Sequence, residues 1–327
     1  MGFRFNSVLK DKFIMSHYSF IFPGQGSQHL GMIQDLYDRY TSIQTIFTQA
    51  SDILNYNLWD IITHDENKLN DTLYTQPALL VCSYALFQIL KEKQVMSPNY
   101  MAGHSLGEYS ALLCAESLTF PDALQLVQFR AQAMKNAVSE GTGAMAAIIG
   151  IDKDKINEIC QTLSNNEHIV MPVNYNSKEQ TVIAGHKKAV LLACEALKNA
   201  NAKRAIMLPV SVPSHCPLML PASEELHSFL KEITIHEPTI PVINNVDVSI
   251  ETDPEKIKSA LVRQLYSPVR WLETILYLQE LNNDTLIEVG PNKVLTTLNK
   301  RIDKTIQGYS VHDESTLETI LTRIKDM

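Results

Sequence analysis

A serine set between two glycines, Gly103-His104-Ser105-Leu106-Gly107, constrains the fold of this chain more than any other stretch. The short apolar run Tyr100-Met101-Ala102 precedes it, and a helical pattern over residues 106–115 follows. That is the strand, sharp turn and helix context in which a G-x-S-x-G motif makes a nucleophile elbow. Glycines on both sides let the two backbones crowd together while the serine hydroxyl stands clear. The helix N-terminus and the Leu106 amide then face developing negative charge. The bland alternative is a chance five-residue match at an ordinary turn.

The rest of the chain extends the same texture. Residues 18–22 read as a buried strand closed by Pro23-Gly24, and helical patterns run through 32–54 and 77–93, where Pro77 suits a first helical position. Residues 141–211 crowd more elements into less chain: strand 144–149, helix 153–163, strands 169–173 and 181–184, helix 188–199 and strand 205–210. Their order, β-α-β-β-α-β, is that of a ferredoxin-like unit. Layered texture then resumes at 218–230, 241–245 and 287–289, so the unit reads as an insertion. The expected fold is α/β, with an α/β-hydrolase-like large domain built from 15–140 and 212–327 and a ferredoxin-like (βαββαβ) small domain inserted at 141–211. Residues 1–14 carry charges but no apolar h-region, and are expected to be a loose N-terminal extension before a folded body that begins near Met15.

Composition narrows the function. Of 327 residues, 45% are hydrophobic, enough for a sizeable core and too many for a disordered or fibrous chain. Lys plus Arg number 28 against 36 Asp plus Glu, which argues against nucleic acid as a partner, since phosphate neutralisation needs a basic surplus. The five cysteines are odd in number, scattered and without a C-x-x-C pair, so neither a disulfide framework nor a thiolate metal site is expected. With no uninterrupted apolar run of bilayer length, the expected setting is the cytoplasm, away from membranes.

A serine nucleophile needs a base, and among ten histidines His215 is the strongest candidate. It lies in Val212-Pro213-Ser214-His215-Cys216-Pro217, just after the inserted unit, where two prolines stiffen the loop. The order, serine first and histidine later, also agrees with α/β-hydrolase-like enzymes. His64, His168 and His227 sit among polar neighbours and are expected in solvent, and His104 is expected to pack beside the elbow. Gly24-Gln25-Gly26-Ser27-Gln28 follows a strand, but His29 occupies the place of a third dinucleotide-motif glycine. Such a turn either presents backbone amides to an active site or is simply tight. Arg130 rises from an apolar helical stripe with Ala123, Val127 and Met134, so its charge needs a partner. A structural Asp or Glu is the commoner one; a substrate carboxylate, suited to a planar guanidinium, is the functional one.

Several segments in fixed order carry a resemblance that covers about residues 18–302. They are Phe22-Pro23-Gly24-Gln25-Gly26-Ser27-Gln28, Gln76-Pro77-Ala78, the elbow with Glu108-Tyr109, Phe129-Arg130, Gly143-Ala144-Met145-Ala146, Val212-Pro213-Ser214-His215, Gln264-Leu265-Tyr266 and Glu288-Val289-Gly290-Pro291. In these the chain resembles the malonyl-CoA:acyl carrier protein transacylases. The resemblance implies an acyltransferase that moves malonyl from malonyl-CoA, through a malonyl-serine, to the phosphopantetheine thiol of acyl carrier protein for fatty-acid biosynthesis. It implies Ser105 as nucleophile, His215 as base oriented by the Gln264 backbone carbonyl, and Gln25 and Leu106 amides for the oxyanion. Arg130 would hold the malonyl carboxylate, and Asn176 would help to line the site. No permanent cofactor or metal is implied, and a monomer is expected. The chain departs from the family pattern at Lys178-Glu179, Ser267 and Asn292. A hydrolase or polyketide transferase on the same scaffold, and a non-catalytic carrier-protein binder, are the rivals.

Overall fold

The computed structural model describes residues 18–95, 97–210 and 212–324. The expectations for residues 1–14 and for a start near Met15 lie outside the described residues. Among the described residues nine strands form two sheets: β1 (Tyr18–Phe22), β2 (Tyr100–Gly103), β3 (Gly143–Ile149), β4 (Val170–Ser177), β5 (Gln180–His186), β6 (Arg204–Met207), β7 (Val242–Ile243), β8 (Thr285–Val289) and β9 (Gln307–Val311). The larger sheet, ordered β7-β2-β1-β8-β9, is parallel throughout. Every residue of β1 is buried, as a parallel strand covered on both faces requires. Alternation assigns the faces: Tyr18, Phe20 and Phe22 enter the main core, while Ile21 meets Trp271, Ile275 and Leu298 on the opposite side.

The smaller sheet, ordered β4-β5-β3-β6, is antiparallel. Along the chain its elements run β3, helix Lys153–Leu163, β4, β5, helix Lys187–Asn199, β6. Ala144, Ala146 and Ile148 of β3 pack against Ile156, Cys160, Val190 and Leu197 of those helices. The other face sends Met145, Val173, Val182 and Ala184 against Cys216, beside the expected base. A bridge between Asn174 and Val269 ties the small sheet to the segment between helices Pro254–Gln264 and Trp271–Glu280, with Val269 N donating to Val173 O at 2.8 Å.

Several local expectations change. The pattern over 32–54 is two helices, Gln34–Arg39 and Thr41–Leu54, because Tyr40 adopts extended backbone and caps the second. Pro77 lies inside helix Thr72–Glu92, whose start is set by Asp71, its side chain accepting from Leu73 N. An N-cap carboxylate fixes the start more strongly than a proline, which costs one ladder bond here. This helix is long and apolar enough to cross a bilayer, but 78% of its apolar window is buried inside the protein, as in a core helix. The last strand of the small sheet ends at Met207, short of the expected 210. β4 runs on to Ser177, with register shifts at 172–174 and 175–177. These place Asn174 and Asn176 beside the elbow.

Candidate active site

The site forms where β1, β2 and β7 end, outside the C-terminal edge of the parallel sheet, where ligands of open α/β sheets bind. β2 stops at Gly103 and helix Gly107–Cys114 begins two residues after Ser105, which is held at φ 54°. For a non-glycine residue that conformation stores on the order of 1–3 kcal/mol, and surrounding bonds must hold it. The flanking glycines are steric necessities. A Cβ on Gly103 would lie 1.8 Å from the Gly107 carbonyl carbon, and one on Gly107 would lie 2.0 Å from Phe22 O. The elbow is therefore wedged between its own helix and the end of β1.

Asn245, fully buried just after β7, clamps the turn from both sides. Its Oδ1 accepts from Ser105 N at 2.7 Å, and its Nδ2 donates to Gly103 O at 2.6 Å. Ser105 Oγ lies 2.8 Å from His215 Nε2, and His215 Nδ1 lies 2.7 Å from the Gln264 backbone carbonyl. A carbonyl only accepts, so Nδ1 carries the hydrogen and Nε2 is left free to take one. His215 is itself at φ 65°, secured by its N–H to Leu265 O at 2.9 Å. Burial, with the Arg130 charge adding to it, pushes the imidazole down to about 3, against the Gln264 bond that favours the cation. The resting ring is a neutral base.

Arg130 is 1% exposed, and among the described residues no carboxylate forms an ion pair with it. Nη1 donates to Gln76 Oε1 at 2.6 Å; Nη2 donates to Gln264 Oε1 at 3.0 Å and to Ser105 Oγ at 3.4 Å. Among the described residues Nε has no acceptor. The guanidinium lies over the Tyr109 ring at 5.1 Å. The commoner expected partner, a structural acid, is thus missing from its bonds, and the cation rests on neutral amides and an aromatic face.

A cavity of about 480 Å³ opens over this group, lined by Gln25, Ser105, Leu106, Arg130 and His215 among others. Among the described residues, the amides of Gln25 and Leu106 have no protein acceptor. Gln25 is held in place by Thr72, whose hydroxyl donates to Gln25 Oε1 at 3.2 Å. Asn176 does not line the cavity. Its Oδ1 bonds His104 Nε2 at 2.9 Å, one shell back, because β4 is shifted in register there and turns Asn174 to the cavity instead. His104 packs beside the elbow as expected, tilted against Trp271. His168, expected in solvent, is half-buried with its ring 5.5 Å from that of His186.

Comparison with known proteins adds a family. Residues 19–325 match the acyl transferase domain family. The chain is 48% identical over 308 residues to the malonyl CoA-acyl carrier protein transacylase of Escherichia coli K12, covering 94% of this chain and 99% of that protein. The chain belongs to the acyl transferase family and, within it, to the malonyl CoA-acyl carrier protein transacylases. The Haemophilus influenzae transacylase is 50% identical over 308 residues, covering 94% of this chain and 98% of that protein. Among solved structures, an acyl carrier protein S-malonyltransferase from Vibrio cholerae superposes with a TM-score of 0.91 at 49% identity, over 93% of this chain and all (100%) of that one. A malonyl-transacylase solved with its type II polyketide synthase carrier protein gives 0.92 at 49% identity, covering 94% and 100%.

Two residues with a part in this transacylase site were not singled out from sequence. Glu108, 2% exposed, accepts through one oxygen, Oε2, from Asn245 N at 3.0 Å and Gln264 Nε2 at 2.8 Å. Burial pushes its carboxyl up to about 7, against those two bonds and the nearby Arg130 charge. Asn245 is the other. The one available signal for Glu108 was its place in Gly107–Cys114, a helix with no polar face to receive it.

Proposed function

We propose that this chain carries malonyl from malonyl-CoA to the phosphopantetheine thiol of acyl carrier protein through an ester on Ser105, supplying fatty-acid biosynthesis. Architecturally we read it as an α/β-hydrolase-like large domain, 15–140 and 212–327, with a ferredoxin-like small domain, 141–211, inserted into it. His215 takes the Ser105 proton as Oγ attacks the thioester carbon, which the 2.8 Å approach supports. The Gln264 carbonyl holds the imidazole in the tautomer that can do so. The tetrahedral oxyanion rests on the unengaged amides of Gln25 and Leu106. As the C–S bond breaks, His215 passes its proton to the coenzyme A sulfur. The carrier thiol then repeats the steps in reverse, giving its proton to His215 and returning the hydroxyl to Ser105.

One observation carries the malonyl reading: a buried guanidinium stands beside the serine hydroxyl and, among the described residues, has no acceptor for its Nε and no carboxylate partner. Malonyl brings that carboxylate; acetyl does not. One thioester is exchanged for another, so the reaction calls for no resident cofactor, and we infer a monomer working in the cytoplasm. The relative solved with a polyketide carrier favours, as a second reading, the same chemistry with that class of acceptor. Brief mixing with malonyl-CoA followed by intact mass spectrometry should give one malonyl adduct in the unaltered protein and none in Ser105→Ala. An adduct that persisted in Ser105→Ala would overturn the assignment.

A further inference from the structure

Glu108 and Arg130 are the two buried charges of the site, and they meet through a single amide. Gln264 Oε1 accepts from Arg130 Nη2 at 3.0 Å, while its Nε2 donates to Glu108 Oε2 at 2.8 Å. The amide dipole is aligned with both charges, oxygen toward the cation and hydrogens toward the anion. The same Nε2 reaches Ser105 O at 3.0 Å, and the Gln264 backbone carbonyl holds His215, so the bridge is anchored to the reacting pair. We propose that Glu108 is the buried counter-charge of Arg130 in the empty site, and that it takes up a proton from solvent when the malonyl carboxylate reaches Arg130. This rests on the malonyl reading of Arg130 given above.

In the empty site one cation and one anion balance. The malonyl carboxylate adds a second anion to the same enclosed cation, and two carboxylates that share a buried site do not both stay ionised readily. Malonyl would contact the guanidinium directly, whereas Glu108 sees it through Gln264, so Glu108 is the weaker claimant and the one neutralised. Burial already holds its carboxyl near neutrality. Other groups facing it are fixed in charge. Asp247, after β7, raises it further but is locked to Arg263 of helix Pro254–Gln264, at 2.8 Å from Nη1 to Oδ1. Burial keeps His104 and His215 neutral, and it pushes the Tyr109 hydroxyl up to about 12.

Acylation itself is proton-neutral: the C–S bond breaks, the C–O bond forms, and the serine proton leaves on coenzyme A sulfur. Any net uptake is therefore extra to the chemistry. Glu108→Gln is a charge-only test, because one amide oxygen can accept from both Asn245 N and Gln264 Nε2 as Oε2 does now. Malonyl-CoA is mixed with enzyme in weak buffer near neutral pH, with an indicator dye counting protons and intact mass counting malonyl esters. The expected result is about half a proton or more taken up per ester in the unaltered protein, and less than about a tenth in Glu108→Gln. Without any variant, the half-saturating malonyl-CoA concentration for adduct formation should fall about threefold or more from pH 8 to pH 7. Full adduct formation without uptake, or a half-saturation indifferent to pH, would overturn the proposal. Equal uptake in Glu108→Gln would assign the proton elsewhere and overturn it too. Absence of any adduct in the unaltered protein would overturn the malonyl reading itself, and this inference with it.

Discussion

Around Ile148, Ile183 and Leu197 the antiparallel sheet and its two helices pack alanine, valine, isoleucine, leucine and cysteine, with no charge in the cluster. At the C-terminal edge of the parallel sheet, by contrast, Arg130, Glu108, His215, Gln264 and Asn245 are almost wholly enclosed. A core of the first kind is secured by burying area, and many apolar side chains of similar volume would serve. The second kind is stable only if nearly every polar group finds its partner, since each one left unpaired costs about 1–3 kcal/mol. That demand has a return in geometry. The bonds that satisfy Gln264 and Asn245 are the ones that hold Ser105 and His215 at positive φ. The small sheet covers the cavity; the parallel edge sets its chemistry.

Substitutions can break or sharpen that contrast. The largest effect is expected at Arg130→Ala, which should cost malonyl preference over acetyl about 1.5–3 kcal/mol, or roughly tenfold to a hundredfold in relative kcat/KM for coenzyme A release. An unchanged ratio would mean that Arg130 reads no acyl group. Asn245→Ala strands Ser105 N and Gly103 O, so acylation bursts should slow about tenfold and stability should fall about 1–3 kcal/mol. A normal burst in a destabilised variant would reduce Asn245 to packing and blur the comparison. Smallest is Ile183→Val in the apolar cluster, expected to cost about 0.5–1.5 kcal/mol in denaturant unfolding while leaving the burst rate of the folded enzyme unaltered. A slowed burst there would show that the small sheet also tunes the chemistry.

What could be read from sequence follows the same division. Glycine sterics made the elbow legible, because Gly103 and Gly107 have no room for a Cβ. Periodicity exposed Arg130, a charge on an apolar stripe. The β-α-β-β-α-β order was visible because its elements are short and locally patterned. Gln264 acts on His215 through a backbone carbonyl, which leaves no mark on residue type, and only the family resemblance pointed to it. Glu108 and Asn245 meet across 137 positions. Their burial depends on how the chain after β7 and helix Pro254–Gln264 close over the elbow, a tertiary outcome that neither local stretch encodes. Asn176 missed the cavity for a similar reason, since a strand irregularity decides which asparagine of β4 faces it.

The central claim is tested most directly by a chase. The enzyme is loaded with malonyl-CoA, freed of nucleotide and mixed with carrier protein bearing its phosphopantetheine arm, and both proteins are weighed over time. Transfer predicts that the malonyl mass leaves the enzyme and appears on the carrier in equal amount, only when the carrier is present. Loss of the adduct to water at the same rate with or without carrier, the carrier staying unmodified, would contradict it and make the enzyme a hydrolase.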